Sequence, residues 1–255
     1  MDLKIHYHGG PMWGNVDIGE GKVIWCGDVL YRNSCALVSY ARPEQLRKIA
    51  SLCNSLVLDN GAFTFYMRGV EADAAHWSGY YALVMAWFSR IEWFIIPDVI
   101  GGGEEENDEL LSRVPLNLVS KGVPVWHSNE SLGRLGRLAD KYGRVAIGLC
   151  KEDKPATSKR ATKILDDVFN YLFLVNDYDT KVHGLAMLDG RVIGRYPFAT
   201  ADSSFVATNV PKTKYQMKEV QCKLARTAIY KSKIEKVIPP TIEDWRNEKY
   251  AKMFF

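Results

Sequence analysis

The sequence predicts an α/β fold of the compact (β/α)8 class, a TIM barrel built as one domain from residues 1–255. The chain has 255 residues, of which 47% are hydrophobic, so it can bury one large core. Eight short apolar runs alternate with segments of helical period. The runs are continuously apolar, as strands are when helices cover both faces of a parallel sheet. A doubly wound open sheet is the alternative that the same alternation allows.

The eight runs are rich in branched and aromatic residues, which favour strands. They are LKIHYHGG (3–10), ALVSYA (36–41), SLVLDNG (55–61), EWFIIPDV (92–99), VPVWHS (123–128), VAIGL (145–149), KVHGLAM (181–187) and FATADSS (198–204). Segments of helical period lie between them at 43–53, 70–89, 105–120, 129–142 and 154–172. The connections 11–34 and 188–197 fit a helix poorly, because the first holds four glycines and the second is short.

Cysteine usage and hydropathy limit the class of protein. The five cysteines are scattered, without the spacing of a zinc site or a disulfide framework, so we expect a reducing cytoplasm and no structural zinc. We assign no metal ligands and no cofactor to the chain. The longest apolar run, YYALVMAWF from Tyr80, is far shorter than the roughly 20 residues that span a bilayer. The N-terminal residues MDLKIHYHGG contain no apolar signal segment. We therefore expect a soluble protein that does not associate with membranes.

Positive charge is concentrated near the C-terminal end. The formal net charge is +3, yet residues 210–236 hold eight Lys and Arg against two Glu, which leaves this segment at +6 and the rest of the chain at −3. Apolar residues recur in it at helical spacing and predict one basic amphipathic helix. Its apolar face comprises Met217, Val220, Leu224 and Ala228. Such a helix is typical of proteins that meet nucleic-acid phosphates, although a solvated helix face has the same pattern. The side chains predicted to contact a phosphate backbone are Lys212, Lys214, Lys218, Lys223 and Arg226.

Polar side chains follow the strands where a barrel places its active site. In a (β/α)8 barrel the loops converge around a mouth only at the carboxyl ends of the strands. Three runs end on a carboxylate, namely Asp59, Asp98 and Asp202. Repelling carboxylates around one rim cost stability unless they bind something, whereas other polar residues after strands often only form turns or helix caps. Those other residues are His6, His8, Ser39, His127, Ser128, Gly148, His183, Gly184, Ser203 and Ser204.

The stretch LDNGAF, at the end of the third run, resembles the Asp-Ser-Gly-(Gly/Ala)-Phe motif of tRNA-guanine transglycosylases and their DNA-acting relatives. Further motifs follow in the family's order across residues 55–205. IIPDV, AIGL, VHGLA and TADSS match, respectively, a base-recognising aspartate, a glycine-leucine loop, a His-x-x-(Gly/Ala) strand and a nucleophilic aspartate. The resemblance implies a pentosyltransferase that exchanges guanine in nucleic acid for a 7-deazaguanine, without a cofactor.

The chain departs from that family at three points. Asn60 replaces the usual serine, WHS stands in the fifth run where the family has a glutamine-glycine pair, and the C-terminal cysteine-rich zinc subdomain is missing. A compact chain without zinc resembles the phage-encoded members that modify DNA. The resemblance therefore implies DNA rather than tRNA as the partner, a free 7-deazaguanine base as the second substrate, and a host cytoplasm as the location.

Two of the carboxylates fit the chemistry of base exchange. Breaking an N-glycosidic bond puts positive charge on the anomeric carbon, which a carboxylate beneath the sugar stabilises and captures. Asp202, in TADSS, is the candidate nucleophile. The departing guanine needs a proton and the incoming base must lose one, so Asp59 is the candidate general acid and base. An apolar wall that includes Phe63 is expected to raise the pKa of Asp59.

The remaining candidates are assigned to substrate binding. We expect Asp98 to accept hydrogen bonds from N1 and the amino group of a guanine edge. Gly148 is expected to present its amide to the base carbonyl, and Gly61 to turn the chain tightly. Further residues expected to line the pocket are Phe63, His127, His183 and Ser203, with Ser39 and His8 as additional candidates. A stacked base must leave its helix to reach the mouth of a barrel.

Two other functions remain open at this level. HYHGG places His6 and His8 on one face of the first strand, as in metal-dependent amidohydrolases, where His127 and Asp202 are further ligands. Against that interpretation, VAIGL supplies no histidine and the fourth run supplies no lysine. A barrel that binds nucleic acid or a nucleotide without turnover is the third interpretation.

Overall fold

The computed structural model of the chain describes residues 4–70, 72–212 and 220–254. Its strands are β1 (His6–Gly9), β2 (Asn15–Asp17), β3 (Val23–Trp25), β4 (Cys35–Ser39), β5 (Ser55–Asp59), β6 (Trp93–Ile95), β7 (Gly122–Val123), β8 (Val125–His127), β9 (Arg144–Gly148), β10 (Lys181–Gly184) and β11 (Thr200–Ser203). Its α-helices are α1 (Cys26–Tyr31), α2 (Leu46–Ala50), α3 (Ala62–Met67), α4 (Ala74–Trp87), α5 (Glu104–Ser112), α6 (Leu132–Lys141), α7 (Lys159–Asn170), α8 (Gly190–Ile193), α9 (Phe205–Asn209), α10 (Lys223–Glu235) and α11 (Ile242–Phe254). Short 3-10 turns lie at Pro43–Gln45, Val119–Lys121 and Lys151–Asp153, and a π-helical turn at Tyr171–Val175 continues α7.

Nine strands form one sheet that curls into a nearly closed barrel, in the order β7-β6-β5-β4-β1-β11-β10-β9-β8. Every pairing within this sheet is parallel. The two ends of the sheet, β7 and β8, belong to one apolar run and are separated only by Pro124. Proline has no amide hydrogen to donate, which interrupts the ladder, but the Pro124 carbonyl accepts from the Ala146 amide at 2.9 Å. The barrel closes through this divided strand, so the predicted (β/α)8 fold is confirmed and the open sheet is excluded.

All eight predicted runs contain strands of the barrel. The helix predicted at 105–120 ends at Ser112, ahead of Pro115, whose ring cannot continue a helix. The connection 11–34 forms the antiparallel pair β2 and β3, followed by the short helix α1. None of the helices in the described residues has both the length and the apolar composition needed to cross a bilayer.

Strand periodicity sorts the side chains between the inside of the barrel and the helical layer. On β1, Tyr7 belongs to the inner cluster and contacts the rings of Trp93 and His183. The apolar residues of that inner cluster are Tyr7, Cys35, Leu37, Val57, Trp93, Ile95, Val123, Val125 and Ala146. The same alternation turns Asp59 and Asp202 inward at the carboxyl ends of β5 and β11. The sheet thereby brings two residues that are far apart in sequence to one mouth.

The basic helix predicted at 210–236 is shorter than its charge pattern indicated. Helix α10 begins only at Lys223, so the predicted start was wrong. Ala228, on the predicted apolar face, is exposed. Lys214, Lys218 and Met217 lie outside the described residues.

Arg226 corrects the predicted set of phosphate contacts. Its side chain is 1% exposed, so it does not lie on a basic surface. It donates hydrogen bonds to three main-chain carbonyls, those of Val210 at 3.0 Å, Val220 at 2.7 Å and Gln221 at 2.9 Å. A guanidinium bonded in this way joins α10 to the preceding segment and offers no charge to a phosphate. Lys212 is exposed and Lys223 is partly buried. Their contact with a phosphate backbone stays a prediction.

Candidate active site

Asp59 lies at the mouth of the barrel, beside Ser39 in the parallel pair of β5 and β4. Its Oδ2 accepts a hydrogen bond from the Gly61 amide at 3.0 Å. Burial, and after it the charge of Asp202, raises the pKa of Asp59 from 3.8 to about 7. The charge of Asp98 adds to this rise in pKa, whereas the Ser39 hydroxyl and the Gly61 amide oppose it. Asp59 therefore keeps a proton up to near-neutral pH, as a general acid must.

Asp202 lies on β11, close enough for its charge to act on Asp59 across the mouth. Its Oδ1 accepts a hydrogen bond from the Ala186 amide at 2.9 Å. Ala186 has a φ of 55°, in the left-handed region that residues with a Cβ rarely adopt. Such a conformation costs energy, and here it aims a main-chain amide at a carboxylate. The loop after β10 therefore supplies a hydrogen-bond donor to the carboxylate at the end of β11.

His183 lies inside the barrel next to Asp202. Its Nδ1 is 2.8 Å from the Thr200 hydroxyl, and the same hydroxyl accepts from Nη1 of Arg144 at 2.9 Å. Its Nε2 is 3.3 Å from Oδ1 of Asp202 and has no well-aligned hydrogen bond to any residue that the structure describes. Burial lowers the pKa of His183, and the neighbouring Asp202 carboxylate acts in the opposite direction. The imidazole is therefore neutral at neutral pH.

Asp98 closes the mouth on the side of β6 and β8. Its Oδ1 accepts from the Asn60 side-chain amide at 2.6 Å, and its Oδ2 is 2.8 Å from Nε2 of His127. Burial acts to lower the pKa of His127, but the hydrogen bond and charge of Asp98 outweigh it, so the pKa is raised. Each carboxylate oxygen still has a lone pair for one further donor.

Asn60 joins the ends of β5 and β6. Besides Asp98, its Nδ2 also donates to the Ile96 carbonyl at 2.8 Å, and its Oδ1 accepts from the Ala62 amide at 2.8 Å. The side chain is buried, with 1% exposed, so each of these bonds would be costly to lose. The residue that departs from the resembling motif therefore holds Asp98 in place.

A buried ionic network behind His127 was missed in the sequence. Glu130 accepts from the main-chain amide of His127 at 2.9 Å and from Nη1 of Arg134 at 2.6 Å. The side-chain amide of Asn107 donates to its other oxygen at 2.8 Å. The spacing of four residues between Glu130 and Arg134 was the available signal, since the helix predicted at 129–142 would bring such a pair together; in the structure Glu130 lies just before α6.

Two glycines shape the mouth, one as predicted and one for a different reason. Gly61 has a φ of 81°, and a Cβ there would lie 2.8 Å from the Ala41 nitrogen, so the turn after Asp59 requires glycine. At Gly148, a Cβ would lie 3.0 Å from Nδ1 of His127. The absence of a side chain at Gly148 therefore makes room for the His127 imidazole, and the contact of its amide with a base carbonyl stays a prediction.

Phe63 begins helix α3 together with Ala62, and 47% of it is exposed. Nζ of Lys154 lies 4.0 Å from the centroid of its ring, a cation–π contact between helix α3 and the loop after β9. Burial lowers the pKa of Lys154, against the charges of Cys150 and Asp202. Lys154 also lines a hollow of about 390 Å³ with Leu149, Pro155, Ala156, Leu185 and Ala186. The hollow thus adjoins the residue whose amide binds Asp202.

Three candidates do not face the mouth. Nε2 of His6 is 2.7 Å from the Val237 carbonyl, and Nε2 of His8 is 3.0 Å from Oε1 of Glu235. Both histidines contact the C-terminal segment outside the barrel, so the His8 pocket assignment and the His-x-His ligand pair were wrong. The Ser203 hydroxyl accepts from the Phe205 amide at 3.0 Å and forms the turn into α9, not a pocket wall. Within the described ranges, no three His, Cys, Asp or Glu side chains are grouped to hold a metal ion.

Comparison with known proteins does not assign the chain to a family. No protein-family model matches it, and no curated protein matches it significantly. The fold and the site define a barrel of parallel strands whose mouth holds two interacting carboxyl groups, with a third carboxylate fixed beside them. Its function is therefore argued from this geometry.

Proposed function

We propose that the protein is a base-exchange glycosyltransferase that replaces guanine in nucleic acid with a 7-deazaguanine. The observation that carries the proposal is the pairing of Asp59 and Asp202 at one mouth. Burial, and secondly the charge of Asp202, raises the pKa of Asp59 to about 7. Asp202 likewise accepts a main-chain amide hydrogen bond, from Ala186, and lies beside the imidazole of His183. A carboxyl group that keeps its proton near neutral pH, next to a second carboxyl group, suits an acid and a nucleophile.

In the first step, a carboxylate oxygen of Asp202 attacks the anomeric carbon of the target nucleotide. The bond from this carbon to guanine breaks, and its electron pair stays with the base. Protonated Asp59 supplies the proton that the base takes up, and becomes a carboxylate. The products are free guanine and a glycosyl ester on Asp202.

In the second step, the incoming 7-deazaguanine loses a proton to the Asp59 carboxylate. Its nitrogen then attacks the anomeric carbon, and Asp202 leaves as a carboxylate. Asp59 ends the cycle protonated, as it began, so the overall exchange consumes no proton and needs no oxidant. A pKa near 7, set by burial and the neighbouring charge, suits a group that must give and take a proton in alternation.

Asp98 is the residue that we assign to recognition of the base. Asn60 and His127 hold its two oxygens, and the remaining lone pairs can accept from N1 and the amino group of a guanine edge. The residue is 7% exposed, and hydrogen bonds are stronger in such desolvated surroundings. The half-exposed Phe63 ring supplies a flat face for a base.

DNA is the nucleic acid that we propose, on the resemblance to compact transglycosylases without a zinc subdomain. A base within a duplex cannot reach the barrel mouth, so the target nucleotide must be unpaired or flipped out. Lys212 and Lys223 are the described lysines that we assign to phosphate contacts.

Covalent trapping tests the proposal. Wild-type protein is mixed with guanine-containing DNA, denatured, and analysed by intact mass spectrometry for a protein–DNA adduct. We expect an adduct with the wild type and none with Asp202→Asn, which keeps the shape but removes the nucleophilic oxygen. Asp59→Asn is expected to bind DNA but not to turn over, because it has no proton to give.

Asp140→Asn is the matched control, since it makes the same chemical change at an exposed position on α6. Mass spectrometry of nucleosides from DNA and tRNA of expressing cells identifies the modified nucleic acid. An unchanged adduct in Asp202→Asn overturns the nucleophile assignment. Exchange in tRNA alone would retain the chemistry and overturn the choice of DNA.

A further inference from the structure

A line of polar side chains crosses the inside of the barrel and ends at Asp202. Barrel interiors are normally filled with branched apolar residues. Here Arg144, Thr200 and His183 lie on the neighbouring strands β9, β11 and β10 and are joined by hydrogen bonds of 2.9 Å and 2.8 Å. The last atom of the line, Nε2 of His183, is 3.3 Å from Oδ1 of Asp202.

The donors and acceptors along this line determine where the imidazole proton lies. The guanidinium of Arg144 can only donate, so the Thr200 hydroxyl accepts from it. Among the described residues, the acceptor within reach of the Thr200 hydroxyl proton is Nδ1 of His183, which favours an unprotonated Nδ1. A neutral imidazole carries one proton, so this proton lies on Nε2, facing Asp202.

Aromatic rings hold the imidazole in this orientation. The His183 ring packs against Trp93 with centroids 4.8 Å apart, and against the edge of Tyr7 at 6.3 Å. His183 has no exposed surface, and Arg144 lies over the same Trp93 ring at 5.2 Å. A rotation of the imidazole would break the bond to Thr200 and these contacts together.

Two donors therefore converge on one oxygen of Asp202. The Ala186 amide and Nε2 of His183 both approach Oδ1, and no described residue donates to Oδ2. The arrangement separates the two oxygens, with Oδ1 held by the protein and Oδ2 left for the substrate.

We propose that His183, oriented by Thr200 and Arg144, is a positioning residue that fixes Oδ1 of Asp202 and presents Oδ2 to the anomeric carbon. This inference rests on the proposed function. When the ester forms through Oδ2, Oδ1 becomes its carbonyl oxygen and keeps both donors. When the ester breaks, the electron pair of its C–O bond returns to the carboxylate, whose Oδ1 the same donors stabilise. His183 transfers no proton in either step.

The tautomer of His183 is tested directly by 15N NMR of histidine-labelled protein, since protonated and unprotonated ring nitrogens have well-separated shifts. The resonance is assigned by its loss in His183→Gln. We expect the Nε2–H form in the wild type and in Thr200→Ser, which keeps the hydroxyl. Thr200→Val removes the hydroxyl that bonds Nδ1 and should therefore reduce the population of the Nε2–H form.

The kinetic test compares the same variants in the trapping reaction. We expect Thr200→Val to slow both formation and breakdown of the adduct by about tenfold to a hundredfold, the typical effect of losing a hydrogen bond to a charged group. DNA affinity should stay at the wild-type value, and Thr200→Ser should restore the rates. Thr180→Val is the matched control, because Thr180 is similarly buried and, within the described part of the chain, its hydroxyl bonds the Tyr142 carbonyl alone, at 3.1 Å.

Each outcome decides the proposal. An Nδ1–H tautomer in the wild type overturns it, and this measurement needs no variant beyond the His183→Gln protein that assigns the resonance. Adduct formation at the wild-type rate in Thr200→Val also overturns it, as does an equal loss of rate in Thr180→Val. If the wild type forms no adduct with any nucleic acid, the proposed function itself fails, which the wild-type sample alone reveals.

Discussion

The raised pKa of Asp59 makes the stability of the fold depend on pH in a defined direction. Burial, with the charge of Asp202 as the second cause, raises the pKa of Asp59 from 3.8 to about 7. Between these two values the folded protein holds a proton that the unfolded chain has lost. This proton stabilises the fold fully below pH 3.8. The stabilisation declines as the pH rises and is lost above about pH 7.

The size of the effect follows from linkage. One pKa unit corresponds to about 1.36 kcal/mol, so the rise in the pKa of Asp59 from 3.8 to about 7 corresponds to roughly 4 kcal/mol over the whole range. Asp59→Asn keeps the shape of the side chain but removes its titration. Between pH 5 and pH 7, the free energy of unfolding of this variant should therefore rise by roughly 2.5 kcal/mol relative to the wild type.

Urea denaturation at a series of pH values measures this difference. Asp202→Asn should reduce the pH dependence of the wild type, because it removes one cause of the raised pKa of Asp59. Asp140→Asn, at its exposed position, measures the effect of removing a surface carboxylate. A difference between wild type and Asp59→Asn that stays constant from pH 5 to pH 8 would refute the reasoning.

Three further predictions concern the frame of the site, all measured by urea denaturation. Gly61→Ala should lower the free energy of unfolding by at least 1 kcal/mol more than Gly21→Ala. Both glycines have a positive φ, but of the two only Gly61 lacks space for a Cβ. Equal losses in the two variants would contradict this. Asn60→Ala should cost about 2–4 kcal/mol, because it leaves three buried groups without a partner; a loss under 1 kcal/mol would argue against the described bonds. Arg226→Met should destabilise by about 2–3 kcal/mol and Lys223→Met by less than 0.5, and the reverse order would contradict the buried position of Arg226.

The barrel and its mouth were predictable because the information is local. In SLVLDNG, a continuous apolar run indicates a strand covered on both sides, and the Asn-Gly pair marks its end. Once eight such runs are connected as parallel strands, every strand end must lie at one rim. Asp59 and Asp202 therefore come together without any knowledge of their contacts.

The direction of individual side chains was not predictable from the same patterns. HYHG is compatible with either face of a strand, and only the packing of Tyr7 beside Trp93 turns His6 and His8 outward. Charge counts likewise do not show which cation is buried. Arg226 contributes to the basic segment in the sequence, but its donors are used by main-chain carbonyls that a charge pattern cannot reveal.

Among the residues that the structure describes, two polar groupings lie inside the barrel, and their difference bears on function. Tyr7 and Ser55 bond each other at 2.7 Å and form a closed pair. The line from Arg144 through Thr200 to His183 instead ends on a buried donor without a well-aligned acceptor among the described residues. A buried polar network is costly for stability when it is incomplete, so stability does not account for a line that ends on an unpaired donor. A carboxylate that must present one chosen oxygen to a substrate does account for it, because the open end of the line lies at Asp202.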